Sequence, residues 1–200
     1  MASHVDSHVQ RRSLLTAFAT GVAGIAGCVQ GPLDATGGRS PDPGSDSWGD
    51  APPCPTFDSR VDRTVCTGAG QSAPTATPVT LTLPAKAPIT PETQFDVALR
   101  PGGDEPVTFD PAAWGLYRYE DGEWRAVASG QSTGRYATVY PDERHDWVFD
   151  GSGTTTEEKT VVRHSFAPGR YAFAVTASVG RGWTFGDRFE CVVLFGVRES

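Results

Sequence analysis

Trp114-Gly-Leu-Tyr-Arg-Tyr-Glu-Asp-Gly-Glu-Trp124-Arg-Ala-Val127 reads as two β-strands folded about a tight turn. Asp121-Gly122 fits the two central positions of a type I′ hairpin, because both residues tolerate the positive φ that such a turn demands. Alternation along the two arms places Trp114, Leu116 and Val127 on one face and Tyr117 and Tyr119 on the other. Outward from this hairpin the same pattern repeats. Strand-like runs occur at 80–83, 95–99, 136–140, 147–149, 160–166, 171–175 and 189–195. Turn residues separate them, among them Pro101-Gly102-Gly103, Ser129-Gly130, Gly151-Ser152-Gly153 and Pro168-Gly169. Helical periodicity is missing from every long segment after Ala26, so the class is all-β.

About seven to nine short strands at regular spacing over residues 79–200 predict an antiparallel β-sandwich of immunoglobulin-like type. A closed barrel is the competing way to satisfy the same pattern.

The N-terminus is organised differently. A polar start is followed by Arg11-Arg12, the apolar run 14–26 and Cys28. That run is too short to span a bilayer but fits the apolar region of an export signal. Arg11-Arg12-Ser-Leu-Leu resembles the twin-arginine signal, and Ile25-Ala26-Gly27-Cys28 resembles the lipobox of bacterial and archaeal lipoproteins. The expectation is a signal over 1–27 and a lipid on the Cys28 thiol, the one nucleophile there able to carry it as a thioether. The competing reading is a short amphipathic helix with a chance arginine pair. Each buried methylene adds about 0.8 kcal/mol, so a two-chain lipid would hold the protein on the outer face of the cell membrane without a spanning helix.

Residues 28–53 are dominated by Gly, Pro, Ser and Asp with Trp48 as their single aromatic, a composition expected to give a disordered tether. A flexible coil of about 25 residues reaches about 25 to 30 Å. Residues 54–78 read as a Cys-bracketed loop and linker. Outside the cell, Cys54 and Cys66 most simply form a local disulfide. A metal pair is the rival reading, but zinc wants four ligands and no third Cys or His lies nearby. Cys191 makes the count odd, and it is either free or paired with Cys54 or Cys66.

The chain of 200 residues has a formal charge of -7, and only two of its 17 cationic residues are Lys. Removal of 1–27 takes away Arg11, Arg12 and Asp6 and leaves -8. No basic face exists for phosphate contacts, so nucleic acid is not an expected partner. Acidity with almost no Lys fits a protein bathed in concentrated salt, as in a halophile, and codon bias in a GC-rich genome is the other explanation.

The hairpin 114–127 and Phe166-Ala-Pro-Gly-Arg-Tyr171-Ala-Phe173 together resemble a bacterial immunoglobulin-like domain family of secreted and lipid-anchored proteins. The resemblance covers residues 79–197 and implies a structural or binding module without catalytic residues. Gly130-Gln131-Ser132-Thr133-Gly134 matches Gly-x-Ser-x-Gly in letters but lies among turn residues without the strand-to-helix context of a nucleophile elbow, and no metal-ligand spacing or blue-copper motif after Cys191 is visible, so no catalytic residue, metal or cofactor is expected. His145 lies in the acidic run 142–146 and reads as part of a solvated loop. His164 alternates with Val162 and Phe166 and reads as packed. Trp124, Tyr140, Trp147, Trp183 and Phe185 lie near turns, where a sugar- or peptide-binding surface can be built, although core and edge packing explains them as well.

The expected protein is therefore a lipid-anchored cell-surface module with a non-catalytic binding or envelope-structural role. Its partners would be membrane lipid through Cys28 and an envelope protein or small ligand. Alternatives are an accessory solute- or peptide-binding lipoprotein of a transporter, and an envelope hydrolase or protease inhibitor.

Overall fold

The computed structural model describes residues 53–68, 77–83, 88–149, 154–180 and 187–200. Arg11, Arg12, Cys28, nearly all of the tether with Trp48, the turn 151–153, Trp183 and Phe185 lie outside the described residues. Ten strands are seen among the described residues: β1 (Arg63–Gly68), β2 (Val79–Thr82), β3 (Phe95–Pro101), β4 (Val107–Glu120), β5 (Glu123–Ser129), β6 (Ala137–Val139), β7 (His145–Phe149), β8 (Lys159–Val162), β9 (Gly169–Val179) and β10 (Arg188–Val197). They form one six-stranded sheet, in the order β1-β10-β9-β4-β5 with β6 also on β4, and one four-stranded sheet, β2-β3-β7-β8.

The expected hairpin is present. Asp121 and Gly122 have φ of 54° and 87° and join β4 to β5 with Glu120 opposite Glu123. Its facial pattern holds for Leu116, which is fully buried, but not for Val127, which is 39% exposed. The register slips between Leu116↔Ala128 and Tyr117↔Ala126, so Val127 is the extra residue of a bulge and leaves the alternation.

The all-β class holds, but both sheets are mixed where wholly antiparallel ones were expected. β1 runs parallel to β10, and β7 runs parallel to β8. The segment before β1 reaches the β10 edge through Asp62 N–H donating to the Arg188 carbonyl, so the chain enters alongside β10 and runs with it. β8 begins beside the start of β7, with Asp146 opposite Lys159, which forces the same direction on both. β1 also lies within the stretch read from sequence as loop and linker. The large sheet thus begins at Arg63, ahead of residue 79.

Side chains of both sheets meet in one core, with Trp147, Phe109, Phe149, Phe173 and Tyr171 all at most 1% exposed. β10 explains why the run Phe189–Phe195 is apolar without alternation. Phe189, Cys191, Val193 and Phe195 face this core, while Val192 and Leu194 join Ala172, Ala174 and Cys66 in a second cluster on the other face of the same sheet. That second face is covered by Cys54 and Phe57 from the chain before β1, together with Tyr117 and Trp124. Both faces of the central strands are buried, as in a three-layer packing.

Gly68 ends β1 at φ +81°, and a Cβ there would run into the carbonyl oxygen of Leu194 on β10. Gly68→Ala is therefore expected to lower the unfolding free energy by about 2 kcal/mol, through left-handed backbone strain and displacement of the β1–β10 ladder. A thermal melt followed by far-ultraviolet circular dichroism checks this, and an unchanged midpoint would contradict it.

Candidate functional site

The most built feature of the surface starts as an interruption in β4. Phe109 pairs with Ala177 and Trp114 pairs with Val175, so residues 110–113 bulge out opposite the single residue Thr176. Pro111 has no N–H to give a ladder, which suits it to such a break. Asp110, only 3% exposed, shapes the bulge. Its Oδ1 accepts Ala112 N–H at 3.0 Å, and its Oδ2 accepts Ser132 Oγ–H at 2.6 Å and Thr133 N–H at 3.2 Å. Pro111 carbonyl accepts Trp147 Nε1–H at 3.0 Å, and Trp114 carbonyl accepts Gly130 N–H at 2.9 Å.

The bulge, the segment 130–139, the start of β7 and residues 155–160 surround an open cleft of about 1430 Å³. Trp114 and Tyr136 supply aromatic surface to its wall, and Arg135, Glu143, Arg144 and Glu157 supply charge. Tyr136 is 49% exposed. Arg144 Nε lies 3.1 Å from Asp146, and a Glu143 carboxylate oxygen accepts Tyr140 N–H at 3.1 Å. A smaller concavity of about 390 Å³ lies beside Phe57, Asp58 and Tyr117, and Trp114 and Gly130 line both spaces.

His145 is where sequence and structure part most clearly. It is 1% exposed in β7 and not in a solvated turn. Pairing with Leu99 sets its register in the small sheet, and its ring meets Phe109 at 5.1 Å and Trp147 at 4.7 Å between ring centres. Nδ1 lies 3.2 Å from the Glu157 carbonyl and Nε2 3.0 Å from Thr160 Oγ1. An N–H on Nδ1 satisfies the carbonyl, leaving Nε2 to accept from the threonine. Burial pulls the pKa of His145 down to about 4, with the Glu157 carbonyl opposing. The imidazole is thus a neutral strut under the cleft. His164 is packed as expected, against Phe166 at 4.8 Å, and burial lowers its pKa too.

Cys54 and Cys66 are joined by a disulfide with Cα atoms 5.9 Å apart. Cys191 is free and buried, which removes its alternative pairings. Cys66 lies beside Val192 and Val65 beside Cys191 in the parallel register, so the two thiols fall on opposite faces of the sheet. Burial pushes the Cys191 thiol pKa well up, which keeps it protonated and unreactive. The disulfide-closed segment is also held by Glu190, 2% exposed, whose carboxylate accepts Phe57 N–H at 2.8 Å and Asp58 N–H at 3.0 Å. Burial raises the pKa of Glu190 in spite of those two donors, whereas the hydrogen bond from Arg60 lowers that of Asp58.

The aromatics singled out from the sequence do not assemble one surface. Trp147 is fully buried, and Trp124 packs against Tyr119 and Phe57. Tyr140 is 41% exposed but does not line the cleft. Trp114 and Tyr136, which do, were read from the sequence as strand residues and not as part of a binding surface. Among the described residues, no group of three or more His, Cys, Asp or Glu is placed to hold a metal ion.

No protein-family model matches the chain. No curated protein matches it either. It is similar to a crystal structure described as Northeast Structural Genomics Consortium target SoR45, at 11% identity over 61% of this chain and 87% of that one, with a TM-score of 0.35. A superposition that loose bears on neither fold family nor function.

Proposed function

We propose that the chain is an exported, lipid-anchored cell-surface protein whose β-sandwich carries a non-catalytic binding site. The observation that carries the binding role is the cleft, with its bulged wall fixed by the buried Asp110 network. A surface that spends a buried carboxylate on its own shape is preorganised to receive a ligand. This favours the solute- or peptide-binding accessory reading over a purely structural envelope role.

Export and anchoring rest on Arg11, Arg12, the apolar run and Cys28, and the halophilic setting rests on the acidic charge. The Cys54–Cys66 disulfide supports an oxidising compartment. For the fold family we read an immunoglobulin-like sandwich that has acquired parallel edges. In its favour, β10-β9-β4-β5 reproduces the last-to-middle strand order of such domains. Tyr171, at the start of the penultimate strand, donates its hydroxyl to the Ala167 carbonyl at 2.9 Å, in the manner of a tyrosine corner.

The anchoring test is intact mass spectrometry of the protein from its host's membranes, with and without thiol alkylation. The expected species is residues 28–200 plus lipid, two hydrogens lighter for the disulfide, alkylated once at Cys191 and only after denaturation. An unlipidated chain that begins upstream of Cys28 overturns membrane display.

A further inference from the structure

We infer that the open edge of β6 accepts an extended basic peptide as an added strand, an inference that deepens the binding role proposed above and rests on it. Strand addition needs N–H and C=O groups that point away from the sheet. At the start of β4 the Pro106 carbonyl accepts Gly180 N–H at 2.7 Å, so Pro106 and, by alternation, Thr108 turn their backbone groups towards β9. Val107 and Phe109 therefore face β6, where their partners are Val139 and Ala137. Between those partners, Thr138 turns its N–H and C=O the other way. The side chains agree, because Thr108 Oγ1 and Thr138 Oγ1 lie 3.1 Å apart, the close approach of a non-hydrogen-bonded pair. No described strand pairs with β6 on that far side, and all three β6 residues line the cleft.

Elsewhere the sheet edges are closed or blunted. The Leu81 carbonyl of β2 is taken by the Thr67 hydroxyl of β1. On β8, Val161 N–H donates to Thr155 Oγ1 at 3.2 Å, and Thr156 and Lys159 exchange backbone hydrogen bonds. β5 carries Glu123, Arg125 and the bulge at Val127, devices that discourage pairing. Even beside β6 the next group along is covered, since Tyr140 N–H donates to the Glu143 carboxylate at 3.1 Å. Thr138 is thus a single defined docking point.

Charge selects the kind of peptide. Of the cations that line the cleft, Arg144 is paired with Asp146, which lies outside it, at 3.1 Å. Arg135 then stands against Glu143, Glu157 and Glu158, with the buried Asp110 behind them. Lysine or arginine on the added strand complements that field, and charges that meet inside a cleft are screened by salt less than exposed ones. A bare metal ion would need several carboxylates converging on one point, and among the described residues no three His, Cys, Asp or Glu do so. A neutral sugar draws nothing from the field and cannot continue a backbone ladder.

The experiment titrates the full chain, as isolated from membranes in a nonionic detergent, with a short fluorescent peptide of alternating lysine and valine. Two companions are its counterpart with glutamate for lysine, and the lysine peptide N-methylated at every residue, which keeps its charge but cannot donate. Anisotropy should show saturable binding of the lysine peptide, weakening as salt is raised, and no binding of the glutamate peptide. N-methylation and Thr138→Pro should each weaken binding about tenfold, as expected when a ladder bond is lost and its partner group is left unpaired. Thr138 N–H faces away from β4, so proline there removes no bond within the sheet, and a thermal melt checks that the variant is folded. The exposed pair Glu157→Gln and Glu158→Gln should weaken binding about threefold or more, whereas Val127→Ala, outside the cleft, should leave it unchanged. Silence towards the lysine peptide, equal binding of the glutamate or N-methylated peptide, or indifference to the glutamine pair would each overturn the inference. Should Thr138→Pro not fold, the N-methylated peptide, which leaves the protein untouched, decides. The mass of the same preparation reports membrane display separately. A lipidated chain that ignores the lysine peptide removes strand addition alone, and an unlipidated chain that binds it removes display alone.

Discussion

Replacing Cys54 and Cys66 together by serine is expected to lower the unfolding free energy by about 3 kcal/mol, the denatured-state entropy that closing a loop of this length removes. For a domain of this size that is a fall of about 10 °C in melting temperature. The effect should reach beyond the loop. The segment before β1 lays Phe57 on Tyr117 with ring centres 3.5 Å apart and covers Val192 and Leu194, so loosening it wets the outer face of the central strands. Glu190 would then keep its carboxylate in an apolar surface while Phe57 and Asp58 N–H move away from it. The measurement is thermal unfolding of the double variant beside the parent, with a hydrophobic dye reporting the exposed face. A midpoint within a degree or two of the parent, and no dye binding below it, would show that Glu190 and the apolar contacts hold the segment without the covalent link.

The second large effect is on acid stability. The pKa of His145 is pulled down to about 4 by burial, against about 6.5 in an unfolded chain. Above pH 6.5 both states hold a neutral imidazole, and the group adds no pH dependence. As pH falls from 6.5 towards 4, the unfolded state takes up a proton that the folded state refuses, so stability is lost across that window. The span corresponds to about 3 kcal/mol. Lowered values at His164 and Asp58 act in the same direction, the latter at more acid pH. Glu190 acts against them, because a carboxyl with a raised folded pKa binds its proton more tightly in the folded state. Urea midpoints of parent and His145→Gln compared at pH 7.0 and pH 4.5 check the assignment. Parent stability should drop steeply on acidification and the variant, already weaker at neutral pH, should drop much less. Parallel losses in the two proteins would assign the acid sensitivity to other groups.

How much of this was legible beforehand differs from element to element. The hairpin was legible because Asp121-Gly122 states its own φ values, and no distant residue is needed to satisfy them. The disulfide was legible because twelve residues of separation brings two thiols together at small entropic cost. β1 was not, since Arg-Thr-Val-Cys-Thr-Gly has too few apolar residues to identify itself and becomes a strand by pairing with an edge of β10 formed far along the chain. The cleft was even less so. Asp110 and Ser132 carry no joint signal across their separation, and the bulge that brings them together is a mismatch of register between β4 and β9.

The sequence by itself determined the all-β class, the hairpin, the local disulfide and the apolar character of the two central strands. Each of these depends on dihedral preference, short chain closure or period-two patterning, which neighbours in the chain decide among themselves. Only the tertiary structure decided that both sheets are mixed, that His145 is a buried neutral strut in an acidic run, and that Val127 turns outward. It also brought Trp114 and Tyr136 to one cleft. Those outcomes depend on register between strands far apart in sequence, and a slip of one residue there exchanges the buried face for the exposed one.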